Sequence, residues 1–228
     1  MTTLPKSKAE KRTLNCPLCL GINEHFYNDE IRGWSYLKCR DCELVWKDAK
    51  HQLSEAEEKA HYSKHLNGPK DAEYRKFLSQ LWEPLKVALQ PGAKGLDYGS
   101  GPGPTLHLMA REDGFTCDHF DPLFHPDASV LKKKYDFITC SETAEHFQRP
   151  AEEFERLAGL LKQGGLLGIM TSMQTPEMDF ANWHYRIDPT HVTFYSEATF
   201  RKVAELYNIE LTDVFNQKVV LLKKKPTH

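Results

Sequence analysis

Short apolar runs alternate with stretches of helical spacing through most of the chain. Gly95 to Tyr98, Phe137 to Cys140 and Leu166 to Thr171 are too short for helices and lack a polar face. They predict strands buried on both sides of a sheet. Thr116 to Phe120 predicts another strand. Between them, Pro104 to Glu112 reads as a helix behind a glycine turn. Pro150 to Leu161 carries Phe154, Leu157, Ala158 and Leu161 at the spacing of one helix face. This alternation packs as a mostly parallel sheet with helices on its faces. Ser196 to Tyr207 then predicts a helix capped by its serine. Glu210 to Phe215 and Lys218 to Leu222, joined by Asn216-Gln217, predict an antiparallel pair.

Before residue 90 the pattern changes. Residues 1–14 are lysine-rich without periodicity and predict a mobile tail. Phe26-Tyr27, Trp34 to Leu37 and Leu44 to Trp46 predict short strands. Ser54 to Leu66 predicts a charged helix whose Ser54 and Glu57 form a capping box, and Asn67-Gly68-Pro69 ends it. Ala72 to Leu89 predicts a further helix, kinked or split by Pro84. The chain thereby divides into a tail (1–14), a strand-rich module (15–50), a linker helix (51–70) and a main domain (71–228).

Composition adds exclusions. At 228 residues the chain holds one α/β domain and a small module, and 40% hydrophobic residues suffice for a proper core. A net charge of −2 gives no global pull toward nucleic acid or anionic lipid. No apolar run reaches membrane-spanning length, and the N-terminal lysines precede no apolar core, so a cytoplasmic protein without a membrane partner is expected.

Four of the six cysteines form Cys16-Pro17-Leu18-Cys19 and Cys39-Arg40-Asp41-Cys42, nineteen residues apart. Two such pairs at this spacing aim four thiolates at one point, which predicts structural Zn²⁺ in a zinc ribbon. So small a module needs the metal for its folding, and four protein ligands leave no open position for chemistry.

The main domain's densest chemistry lies in Asp97-Tyr98-Gly99-Ser100-Gly101-Pro102-Gly103. Alternating glycines let a ligand lie against bare backbone. The third glycine of a dinucleotide fingerprint is missing, since Pro104 or Leu106 stands at its position. Asp121, about 20 residues beyond the glycines, is placed to accept hydrogen bonds from ribose hydroxyls.

At these residues the chain resembles the class I S-adenosylmethionine-dependent methyltransferases, whose first motif reads acid-x-Gly-x-Gly-x-Gly. Phe120-Asp121-Pro122, Tyr135 to Glu142, Glu145-His146 and Leu160 to Gly165 follow in the family's order. The resemblance implies a Rossmann-like sheet with an antiparallel closing strand, and S-adenosylmethionine as cofactor. It implies cofactor contacts from Asp97, Tyr98, Gly99, Ser100, Gly101, Gly103, Asp121, Pro122, Ser141, Glu142 and His146. The sequence departs from the family in one place. Only residues 122–134 separate Asp121 from Tyr135, too few for a helix and a third strand, so that strand is expected to be shortened or missing.

Ser172 to Tyr195 is long, irregular and rich in reactive side chains, as binding loops are. A neutral imidazole there suits the removal of an acceptor's proton near pH 7, with His191 the first candidate base and His184 the second. Alternatively, Asp188 and His191 pin the loop through an Asx-turn and a hydrogen bond. Three functions follow. The first is methyl transfer to a small metabolite or carrier-bound acceptor, with the ribbon as support or protein-docking surface. The second is an RNA methyltransferase whose ribbon grips RNA through Lys38, Arg40, Trp34 and Tyr36. The third is a non-catalytic interaction protein retaining the fold.

Overall fold

The computed structural model describes residues 15–63 and 67–226. The expected tail at 1–14 and the end of the helix expected over 54–66 lie outside the described residues. The chain begins with three antiparallel strands, β1 (Asn23–Asp29), β2 (Trp34–Cys39) and β3 (Val45–Lys47). Helix α1 (Glu55–Tyr62) follows, and Ser54 and Glu57 close the capping box that the sequence predicts.

Helix α2 (Ala72–Lys86) leads into the main sheet. Pro84 lies inside α2 without splitting it. It sits in the last turn, where its missing NH costs one bond, and the helix ends three residues before the expected Leu89. There follow β4 (Lys94–Tyr98), α3 (Leu106–Glu112), β5 (Thr116–Phe120), β6 (Tyr135–Ser141), α4 (Pro150–Leu160) and β7 (Leu161–Met170). Helix α3 begins two residues later than expected, because the Thr105 hydroxyl donates to the Gly103 carbonyl at 2.9 Å instead of capping the helix. The chain closes with β8 (Thr193–Phe194), α5 (Glu197–Leu206), β9 (Ile209–Phe215) and β10 (Val219–Lys224).

The six-stranded sheet has the order β5-β4-β6-β7-β10-β9. Pairs β4/β5, β4/β6 and β6/β7 are parallel, and β10 runs antiparallel to both its neighbours. Asn216 and Gln217 turn the β9–β10 hairpin with φ of +50° and +52°, the mirror-image turn that matches strand twist. Among the described residues no strand lies outside β5. The segment 122–134 holds a tight turn closed by Asp121 and His125 and one 3-10 turn at Val130–Lys132, so the third strand is indeed missing.

Both faces of the sheet are covered. On one, α2 and α3 set Leu81, Trp82, Leu85 and Leu106 against Phe137 and Leu221. On the other, α4 and α5 set Phe154, Leu157, Phe200 and Val203 against Ile138 and Leu167. Each such side chain contributes about 1.5–3 kcal/mol by leaving water. Gly95 is required under this layer, because a Cβ there would lie 2.1 Å from the Phe137 ring.

The N-terminal strands are joined to the main domain by more than a linker. β8 pairs with β3 and completes a four-stranded sheet, β1-β2-β3-β8. Tyr36 and Val45 share a buried cluster with Phe180, Trp183, Tyr185 and Phe194. Arg186 forms a buried ion pair with Asp29 at 2.5 Å, and Lys47 Nζ donates to the Pro189 carbonyl at 2.9 Å. Of the ribbon residues expected to grip RNA, Tyr36 is fully buried and Trp34 is half-buried with Lys47 Nζ over its ring at 4.0 Å, while Arg40 is exposed and pairs with Glu24.

Candidate active site

A cleft of about 1110 Å³ opens at the C-terminal ends of β4, β5 and β6, where open α/β sheets place their ligands. One end is the glycine turn. Gly99 has φ +76°, and a Cβ there would lie 2.2 Å from the Thr143 side chain. Gly101 has φ +65°, and its NH donates to Asp121 Oδ2 at 2.9 Å. Tyr98, Gly99, Ser100, Gly101, Gly103 and Asp121 all line the cleft, and Pro122 lies beside them. Asp97 lies beneath the turn instead. It is 4% exposed and accepts from Thr139 Oγ1 at 3.0 Å, and burial pushes its carboxyl up to about 6. Asp121 Oδ1 also accepts the NH groups of Leu123 and Phe124, so this acid shapes the short segment that replaces the third strand.

Beyond β6 the cleft continues. Ser141, Glu142 and His146 line the cleft there. Among the described residues Ser100 Oγ, Ser141 Oγ and Glu142 Oε1 are buried without a hydrogen-bond partner. Each such group lacks the partner that buried polar atoms ordinarily have, and these three face the cleft. Glu142 is held at φ +46°, unusual for a residue with a side chain, by its NH donating to the Met170 carbonyl at 2.7 Å. Burial, with Glu145 nearby, pushes its carboxyl up to about 8.

The other end is built by Glu145, His146 and the 180–191 segment. Glu145 is fully buried and accepts from the Tyr185 hydroxyl at 2.5 Å, and burial pushes its carboxyl up to about 7. His146 Nδ1 lies 3.0 Å from the Thr190 carbonyl, and His191 Nδ1 lies 2.6 Å from the Tyr185 carbonyl. A carbonyl can only accept, so each Nδ1 carries the proton and each Nε2 is a bare lone pair. The Nε2 atoms lie 3.9 Å and 4.0 Å from the same Glu145 Oε1. Burial lowers His146 below its ordinary value; burial, with His146 alongside, takes His191 down to about 3.

This alters the expected roles. A histidine held at about 3 is a weak proton acceptor at neutral pH, so its surroundings do not favour His191 as the base. His184 is exposed and lies outside the cleft. Asp188 pins the loop, as the Asx-turn reading allows: its Oδ1 accepts the Thr190 NH at 2.8 Å and the Thr190 hydroxyl at 2.5 Å. Sequence reasoning missed Glu145 and Tyr185 as site residues. The spacing of Glu142 and Glu145 was a signal for the first, but nothing in the sequence brings Tyr185 to it. Also missed was α1, whose Glu58 and Tyr62 line the cleft; Glu58 Oε1 accepts from Gln148 at 3.0 Å.

The four cysteines form the second candidate site. Their Sγ atoms lie within 4.8 Å of one another, with Cys16–Cys42 at 3.6 Å and Cys19–Cys39 at 3.5 Å. Sulfurs about 2.3 Å from one tetrahedral ion would be separated by about 3.8 Å. The Leu18 and Asp41 NH groups point at Cys16 and Cys39 Sγ, each at 3.4 Å.

Residues 63–214 match the family model of a methyltransferase domain. The ubiquinone biosynthesis O-methyltransferase of Aeromonas salmonicida is 31% identical over 83 residues, 36% of this chain and 35% of that protein. The protein of the same name from Pectobacterium atrosepticum is 35% identical over 71 residues, 31% and 30% of the two chains. The chain thus spans about a third of the length of these curated relatives. Among solved structures, the Burkholderia thailandensis 1,6-didemethyltoxoflavin-N1-methyltransferase, with 1,6-didemethyltoxoflavin and S-adenosylhomocysteine bound, superposes with a TM-score of 0.51. It is 14% identical over 89% of this chain and 100% of that one, a likeness of fold.

Proposed function

The chain belongs to the methyltransferase-domain family, and from that premise we propose that it transfers a methyl group from S-adenosylmethionine to a small-molecule acceptor. The observation that carries this reading is one continuous cleft with a cofactor-type turn at one end and a buried polar cluster at the other. Its 1110 Å³ exceeds the upper range of a single small-ligand pocket, about 1,000 Å³, which leaves room for a cofactor and a modest acceptor together.

The residues present fit the cofactor. The backbone of Gly99 to Gly103 and Asp121 would hold its nucleoside end, while Ser100, Ser141 and Glu142 have free polar atoms for its amino-acid end. Phe124 and Leu131 supply an apolar wall where the third strand is missing. When bound, S-adenosylmethionine would supply an electrophilic methyl carbon on a sulfonium, whose sulfur would keep the electrons of the carbon–sulfur bond as the methyl passes to an acceptor lone pair.

The protein's share is alignment and exclusion of water. Tyr62 and Phe77 flank the cleft, and the 180–191 segment holds the acceptor end rigid through its ties to the ribbon. The relatives named for O-methyl and N-methyl transfer to small molecules support an acceptor of that class. The cysteine set fits Zn²⁺, and with four thiolates around it the ion would have a structural role. Calorimetric titration with S-adenosylhomocysteine tests the cofactor assignment. Saturable binding near one equivalent is expected, and no heat from folded, zinc-loaded protein would remove the basis of the reading.

A further inference from the structure

We propose that Glu145, His146 and His191 hold a divalent metal ion at the acceptor end of the cleft, with its remaining coordination positions open to an acceptor oxygen. The second half of this statement rests on the methyl-transfer reading; the first does not.

Three observations converge. One ring nitrogen of His146, one of His191 and a carboxylate oxygen of Glu145 lie within 4.8 Å of one another, and the two Nε2 atoms lie 3.9 Å and 4.0 Å from the same Glu145 Oε1. Ligand atoms about 2.0–2.2 Å from one ion lie roughly 3–4 Å apart, so only a small closure is needed. Each imidazole has its other nitrogen hydrogen-bonded to a backbone carbonyl, which fixes the bare lone pair inward. This is the outer support that metal-bound histidines require, and Tyr185 supplies the same support to Glu145.

The third observation is independent of the histidines. Glu145 is fully buried, yet among the described residues its Oε2 has no hydrogen-bond partner. Glu142 Oε1, three residues earlier in the bend after β6, is a buried atom without a hydrogen bond, with Lys218 Nζ 3.9 Å away. The two carboxylates and the two imidazole lone pairs gather acceptors that the Tyr185 hydroxyl on Glu145 Oε1 and Lys218 Nζ, 3.9 Å from Glu142 Oε1, satisfy only in part. A cation would complete the set. Two imidazoles and a carboxylate select ions such as Mn²⁺, Fe²⁺ or Zn²⁺, whereas the four thiolates of the ribbon do not suit Mn²⁺. Three protein ligands on one side leave positions facing the cleft, as in sites that act on a ligand.

The test uses full-length, zinc-loaded protein, so that the cysteine site is filled. Mn²⁺ is titrated while the six-line resonance of the free ion is followed, and S-adenosylhomocysteine affinity is measured on the same sample. About one Mn²⁺ per chain is expected, with affinity falling roughly 10–100-fold in Glu145→Gln, in His191→Gln and in His146→Gln while zinc content stays constant. No uptake by protein that binds S-adenosylhomocysteine, or uptake that all three variants leave unchanged, would overturn the metal site and spare the methyl-transfer reading. Uptake that the variants abolish, in protein that ignores S-adenosylhomocysteine, would establish the metal and overturn its link to methyl transfer.

Discussion

Arg186→Met tests how the ribbon and the cleft depend on each other. Arg186 is 4% exposed and binds Asp29, the Phe180 and Ala181 carbonyls and the Tyr27 hydroxyl. Removing one partner of a buried ion pair costs about 3–5 kcal/mol where the other charge is stranded. Asp29 is not stranded here, since it keeps the Ile31 and Arg32 NH groups and the Arg32 guanidinium. The loss should fall at or below the lower end, about 2–3 kcal/mol. Burial opposes ionisation of Asp29, but hydrogen bonds from Arg186 and Arg32 together hold its pKa at about 2, so the carboxylate that Arg186 binds is charged at neutral pH. Its folded value is depressed, so this contribution is full above about pH 4 and disappears as pH falls through about 2. Thermal unfolding at neutral pH should therefore shift down by roughly 4–12 °C in the variant. The difference between variant and wild type should shrink toward pH 2. A shift under about 2 °C, or a difference independent of pH in that range, would refute the argument.

Two further changes separate the sites. Cys39→Ser should lose the stoichiometric zinc and, because β3 carries β8 and the 180–194 segment, lower the stability of the acceptor end as well; unchanged zinc content by elemental analysis would reject the ribbon assignment. Gly99→Ala places a Cβ against Thr143 at a positive φ, a strain of about 1–2 kcal/mol before the clash, so S-adenosylhomocysteine should bind at least roughly tenfold more weakly with zinc content unaffected; wild-type affinity in calorimetry would show that the turn does not hold the cofactor.

The sheet was legible because its strands are continuous apolar runs, and the missing third strand because residues 122–134 are too few to build it. Caps at Ser54 and Ser196 and the hairpin turn at Asn216-Gln217 were legible for the same local reason. The glycine turn and the paired cysteines also announce themselves by spacing alone. What sequence could not show is long-range. Residues 29 and 186 are joined across 157 positions, so neither their ion pair nor the shared cluster that buries Tyr36 has a local signature. The surroundings of His191 were hidden for a related reason. Its residue type suggests a base, but the burial and the Tyr185 carbonyl that hold its imidazole neutral come from the fold.

Methyl transfer to a small molecule is tested most directly by the fate of a labelled methyl group. Zinc-loaded protein with Mn²⁺ and S-[methyl-³H]adenosylmethionine would be incubated with fractionated cell extract, separated into metabolites, RNA and protein. The account requires label in the metabolite fraction, dependent on enzyme and abolished by excess S-adenosylhomocysteine. Label accumulating in RNA or protein, or remaining on a cofactor that the protein binds tightly, would contradict it.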